Sequence, residues 1–177
     1  FKRPLLYFVI DTSGSMSTPF DGTTSRFDVL HQASARLVNS LGPLIRVGAA
    51  VFPYAPTNAN TCATGKQVFA PKAGDADGVV AKEFAQATAF FPSGGTPTAA
   101  TLKALAPKFQ NAATDSKGPE AVILVTDGGP NCDSSMTCDV DECIPNLDGD
   151  CPGSVGNCCA PPKGDGGNCI DRGPTLE

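Results

Sequence analysis

Histidine is almost missing from this chain of 177 residues: His31 is its sole representative. Reactions that need an imidazole base or nucleophile therefore have one candidate. His31 falls beside the apolar stripe of a predicted helix, where a partly buried structural histidine is the plainer reading than a catalytic one. No Cys-x-x-Cys pair occurs either, so the usual spacing of a zinc site is lacking. No run approaches the ~18 apolar residues of a membrane-spanning helix. Nor is there a basic stripe of the kind that neutralises nucleic-acid phosphates or anionic lipid. The chain starts at Phe1 almost directly in a strand, so a signal peptide, if one existed, is expected to have been removed.

Cysteine, by contrast, is plentiful. Of eight cysteines, Cys62 stands alone, while Cys132, Cys138, Cys143, Cys151, Cys158, Cys159 and Cys169 crowd the C-terminal quarter. That density is unusual for a reduced cytosolic protein unless it binds metal; with zinc disfavoured, disulfides and an oxidising compartment are the expectation. The charge divides at the same place. Residues 1–130 carry 11 Lys/Arg against 9 Asp/Glu, and residues 131–177 carry 2 against 9. Periodicity also ends there: from Asn131 onward Gly, Pro, Asp, Asn and Cys dominate, and such a segment needs cross-links to hold a structure. We therefore divide the chain into a globular part, residues 1–130, and an acidic Cys-rich lobe, residues 131–177. Seven cysteines cannot all pair among themselves, so full oxidation requires a bond to Cys62. Adjacent Cys158 and Cys159 are not expected to pair, because neighbours strain disulfide geometry.

The first part alternates strand and helix patterns. Leu5–Ile10, Arg46–Phe52 and Ala121–Thr126 are apolar runs of the length and type of strands buried on both faces of a parallel sheet. Gln67–Ala70 is a shorter strand, joined to the second by a loop that contains Cys62. Ser25 reads as a helix cap, with Asp28 in the first turn and Phe27, Leu30, Ser34, Leu37, Val38 and Leu41 at helical spacing. Gly42-Pro43 ends that helix. Two further helices are predicted, from about Asp77 to Ala87 with Val79, Val80 and Phe84 apolar, and from Pro97 to about Gln110.

Oxygen-bearing side chains gather at the strand ends. Asp11-Thr12-Ser13-Gly14-Ser15 follows the first strand, Asp127-Gly128-Gly129-Pro130 follows the last, and Ser93-Gly94-Gly95-Thr96-Pro97-Thr98 leads into a helix. Taken singly, Ser13 and Ser15 read as turn residues and Thr96 as a helix cap. Together, two carboxylates and three hydroxyls are hard ligands suited to an octahedral cation.

In order and spacing these three pieces resemble the metal-ion-dependent adhesion site of von Willebrand factor type A domains: Asp-x-Ser-x-Ser, a loop threonine, and an aspartate after a later strand. All five positions are filled in kind, and the resemblance covers residues 1 to about 130. It implies an α/β fold, a Rossmann-like doubly wound and mostly parallel sheet, with one antiparallel edge strand. A strand order 3-2-1-4 puts Asp11 and Asp127 together at the switch point, where such sheets bind ligands. The family continues through two more strands, so the chain is expected to be a fragment, truncated after its fourth strand and leaving that strand as an exposed apolar edge.

The resemblance further implies that Ser13, Ser15 and Thr96 bind Mg²⁺ (or Mn²⁺ or Ca²⁺) directly and that Asp11 and Asp127 act largely through water. One coordination position stays open for a carboxylate of a protein or surface ligand. The expected role is a secreted or cell-surface adhesion module, not an enzyme, with no nucleic-acid partner. Other members of the family serve as intracellular assembly or chaperone-partner modules, and a structural scaffold with an inert metal site and a calcium-binding Cys-rich lobe is a further alternative; the cysteines count against the intracellular role. Asp11, at a strand end, is expected to be solvated and dispensable for folding.

The acidic segment carries a second resemblance. Asp139-Val140-Asp141-Glu142-Cys143 is similar to the opening of calcium-binding epidermal-growth-factor modules, and Asn146-Leu147-Asp148-Gly149-Asp150 to a calcium turn. Later cysteine spacing departs from that pattern. Asp139, Asp141, Asp148 and Asp150 are therefore candidates for a weak calcium site on an irregular loop, or simply a solvated acidic surface. Because the Cys62 loop and the Cys-rich segment leave the sheet at the same end, a bond between them is expected to anchor the lobe beside the metal site and to limit which ligands reach it.

Overall fold

The computed structural model describes residues 2–54, 62–109, 118–133, 138–145, 159, 169 and 170. Among these, four strands form one sheet: β1 (Leu5–Asp11), β2 (Arg46–Phe52), β3 (Lys66–Ala73) and β4 (Glu120–Val125), in the order β3-β2-β1-β4. β1 runs parallel to both β2 and β4, and β3 is the antiparallel edge strand. The helices are α1 (Arg26–Leu41), α2 (Val79–Ala87) and α3 (Thr98–Phe109).

Alternation along β1 sorts its side chains between two cores. Phe8 and Ile10 face α1 and α2, where they pack with Val47, Ala49, Val51, Phe27, Val38, Val80 and Phe84. Leu5, Tyr7 and Val9 face α3 with Ala50, Phe52 and Leu105. Both faces of β1 and β2 are therefore buried, which is why these strands read as unbroken apolar runs. Phe84 is fully buried and meets Phe8 and Phe69 edge-on, at centroid distances of 5.2 and 6.0 Å. The fold is the mixed α/β, mostly parallel architecture that the sequence implies.

The differences lie at edges. β3 extends to Ala73 and α2 begins at Val79, so both depart by a few residues from the sequence reading. Val79 and Leu37, expected on buried stripes, are exposed. Asp75 accounts for the late start of α2: its carboxylate accepts from the amides of Val79 and Val80 (3.0 and 2.7 Å), capping the helix from outside. On β4, Ile123 and Val125 pack into the α1–α2 core, whereas Val122 and Leu124 on the other face are 44% and 42% exposed. Among the described strands β4 ends the sheet on the side away from β3. No described helix is long and apolar enough to cross a membrane.

Candidate metal centre

β1 delivers Asp11 to the end of the sheet and the chain turns at once. Ser13 N–H donates to Asp11 Oδ1 (2.7 Å), folding the backbone back over its own carboxylate. Gly14-Ser15-Met16-Ser17 then makes a turn of 3-10 helix, pinned by the buried Met16. Two backbone bonds fasten this loop to the one that carries Thr96: Gly14 N–H to Gly94 O and Ser93 N–H to Thr12 O, both 2.8 Å. A Cβ on Gly14 would stand 3.4 Å from Gly94 O, an ordinary contact distance.

The hydroxyls of Ser13 and Ser15 lie 3.1 Å apart, and Ser15 donates to Asp127 Oδ1 at 2.8 Å. Ser15, Thr96 and Asp127 line one open cleft of about 500 Å³, together with Gly14, Gly95, Gly128 and Arg26. The topology thus gathers residues drawn from positions 11 to 127 at a single point.

Asp11 corrects one expectation. It is fully buried rather than solvated, and both of its oxygens are engaged, Oδ2 accepting from the Thr126 hydroxyl at 2.6 Å. Burial pushes its carboxyl above the ordinary range; the bonds from Thr126 and Ser13 oppose this, and the nearby Asp127 charge adds to it. The register pairs Ile10 with Val125, which places Thr126 beside Asp11 one step further on. Alternation and strand order therefore contained this contact, although Thr126 reads from the sequence as an ordinary strand residue.

Two other residues have no sequence signal. Arg26, in the first turn of α1, reaches Asp127 Oδ2 at 2.6 Å. Asn131, buried, accepts from Thr96 N–H at 2.6 Å and donates its own N–H to Thr96 O at 2.9 Å. His31 lies elsewhere: its Nε2 is 2.9 Å from Ala85 O and 3.1 Å from Thr88 Oγ1, and its ring stacks on Phe27.

Three disulfides form among the described residues. Cys62 is bonded to Cys132, Cys138 to Cys169 and Cys143 to Cys159. The link from the Cys62 loop to the Cys-rich segment is thus present, and Cys159 bonds to a residue other than its neighbour. Cys151 and Cys158 lie outside the described residues. The buried cystines of Cys143, Cys159 and Cys169 make a small core of their own, with Ile144 and Pro145 extending from it to line the cleft. Asp139 and Asp141 are exposed around a 3-10 turn, Val140–Glu142. The other two calcium candidates, Asp148 and Asp150, lie outside the described residues, and among those described no three His, Cys, Asp or Glu side chains gather to hold a metal. The β1–β4 site contributes only two carboxylates, its other donors being hydroxyls.

The sequence profile of the von Willebrand factor type A domain matches residues 6–130, and the chain belongs to that family. Among solved structures it is similar to the PilB minor pilin from Streptococcus sanguinis, at 23% identity and a TM-score of 0.53, over 73% of this chain and 31% of that one. It is similar also to the pilus adhesin SpaC from Lactobacillus rhamnosus GG, at 24% identity and a TM-score of 0.56, over 74% of this chain and 16% of that one. At these identities the likeness is one of fold, and this chain spans a third or less of either protein. Among curated protein sequences none matches significantly.

Proposed function

We propose that this chain is an adhesion module of an oxidising, extracellular or surface compartment, binding an acidic protein or surface ligand through a Mg²⁺-type ion. The observation that carries this reading is that Ser15 bridges Ser13 and Asp127 by hydrogen bonds, beside a cleft that Ser15, Asp127 and Thr96 line. An all-oxygen set with few charged members fits a hard divalent cation. When bound, the ion supplies an electrophilic position for a ligand carboxylate. The chain's own residues do the rest. Ser13, Ser15 and Thr96 offer hydroxyls, and Asp127 adds a charge at the mouth. Asp11, fully buried and with both oxygens already accepting hydrogen bonds, acts from beneath by fixing the loop.

Three cystines and the fold likeness to pilus proteins support the location. They weigh against an intracellular assembly role. Binding rather than catalysis is favoured because, among the described residues, the cleft is lined by no titratable side chain besides Asp127 and Arg26, which are paired with each other.

The Arg26–Asp127 ion pair favours one second reading, a scaffold in which the guanidinium neutralises Asp127 and no metal is needed. Calorimetric titration with Mg²⁺ and Mn²⁺, followed by binding to a polyglutamate-coated surface with and without EDTA, separates the two. Cation binding together with EDTA-sensitive capture is the expected result. A chain that binds neither cation is the scaffold.

A further inference from the structure

Thr96 is the one hydroxyl of the candidate site that does not come from the β1 loop, and what places it is unusual. Its backbone is held on both sides by a single residue, Asn131, whose side chain accepts from Thr96 N–H and whose N–H donates to Thr96 O. Asn131 is buried and follows β4 by six positions, in a stretch without regular structure. No helix or strand holds this stretch, so its position depends largely on tertiary ties. The next residue, Cys132, is bonded to Cys62 on the β2–β3 connection, 70 positions away. Cys132 takes φ 80°, a left-handed conformation unfavourable for a residue with a side chain, as expected where a tertiary tie dictates the backbone.

The disulfide and the asparagine also press on the loop they hold. A Cβ built on Gly95 would lie 2.5 Å from Cys132 Sγ, 2.9 Å from Asn131 Oδ1 and 3.4 Å from Cys62 Sγ. Gly95 thus sits under the cystine, immediately before Thr96, with no room for even a methyl group. From the other side, Gly14 N–H donates to Gly94 O. The threonine loop is therefore clamped between the β1 turn and the Asn131–cystine unit.

We infer that Asn131 is a positioning residue for the cation site, and that the Cys62–Cys132 disulfide sets the site's affinity by holding Asn131 against Thr96. This rests on the metal-binding reading above and extends it: the cross-link belongs to the ion site as well as to the Cys-rich lobe. Residues that orient metal ligands from the outer shell typically change metal affinity about 10–100-fold when removed. A shift of that size is expected here from loss of Asn131.

The test is a double-mutant cycle on the full chain, read by calorimetric Mn²⁺ titration, with Asn131→Ala, Thr96→Ala and the two combined. Asn131→Ala should weaken Mn²⁺ binding about 10–100-fold and should add little once Thr96 is already alanine, because both act through one ligand. Independent, additive losses, or an unchanged affinity in Asn131→Ala, would overturn the inference. A second measurement needs no metal: amide hydrogen exchange of Thr96 in Cys62→Ser/Cys132→Ser and in Asn131→Ala. Faster exchange in both variants is expected, and retained protection in either means that the clamp is not what holds the loop. A wild-type chain that binds no Mn²⁺ removes the metal reading and this inference with it. Wild-type binding with an additive cycle removes the inference alone.

Discussion

Replacing Asp11 tests whether the carboxylate at the end of β1 is structural, electrostatic or both. Asp11→Ala removes the acceptor for Ser13 N–H at 2.7 Å and for the Thr126 hydroxyl at 2.6 Å, in a place with no water access. A buried donor left unmet costs about 1–3 kcal/mol. Two such donors, offset by release from burying an ionised group, lead to a net loss of about 2–4 kcal/mol. Asp11→Asn keeps the volume and one acceptor oxygen, so about half that loss is expected. Urea unfolding in EDTA reads both values. Repeated with Mg²⁺ at a hundred times its dissociation constant, wild type should gain about 2.7 kcal/mol and the variants almost nothing. The pH dependence carries a definite sign. The folded carboxyl lies above its ordinary value of 3.8, chiefly through burial, so the folded chain takes up the proton before the unfolded chain does. The cost of burying the ionised form is complete above the folded pKa and is relieved as pH falls through it. Metal-free wild type should therefore gain on Asp11→Asn over that acidic range. An Asp11→Ala protein as stable as wild type in EDTA would refute the reasoning, since it would mean that the carboxylate holds neither donor.

Arg26→Gln should raise Mg²⁺ affinity about 3–10-fold, because the guanidinium on Asp127 Oδ2 opposes a second cation at the same carboxylate; unchanged affinity in calorimetry would show that the ion pair and the cation do not compete. Phe84→Ala should cost about 3–5 kcal/mol in urea unfolding, since the ring is fully buried against Phe8 and Phe69. A loss under about 1 kcal/mol would contradict the packing of α2 on the sheet.

How much of this was legible in the sequence follows from how local each determinant is. β1 and β2 announce themselves because both of their faces are buried, and a run such as Leu5–Ile10 has no other economical explanation. The start of α1 was equally readable: Ser25 Oγ accepts from Asp28 N–H at 3.0 Å, the cap that its spacing implies. Val79 and Leu37 misled because apolar spacing marks a stripe without saying how far a neighbour covers it. The start of α2 was displaced by Asp75, whose cap works from four residues ahead of Val79 rather than from the adjoining position.

For the site, the legible residues are those at strand ends and the illegible ones are those whose partners are fixed by cross-links or by the tilt of a helix. Asp11 and Asp127 could be brought together by strand order alone. Thr126 needed the register as well, because the parallel pairing of Ile10 with Val125 decides which side chain stands next to Asp11. Arg26 needed the angle at which α1 leaves its cap, and no spacing rule carries that. Asn131 needed the identity of a cystine partner, since a residue outside any strand or helix is located only by what ties it down. The odd count of cysteines pointed to Cys62 but not to Cys132. Only that second half of the bond places an asparagine against the threonine loop. The sequence thus states the ligands' chemistry more openly than the means of their alignment, and affinity at such a site depends on the alignment. A variant that keeps Asp11, Ser13, Ser15, Thr96 and Asp127 but crowds Gly95 retains the whole motif, yet it must displace Asn131 or the cystine to fit.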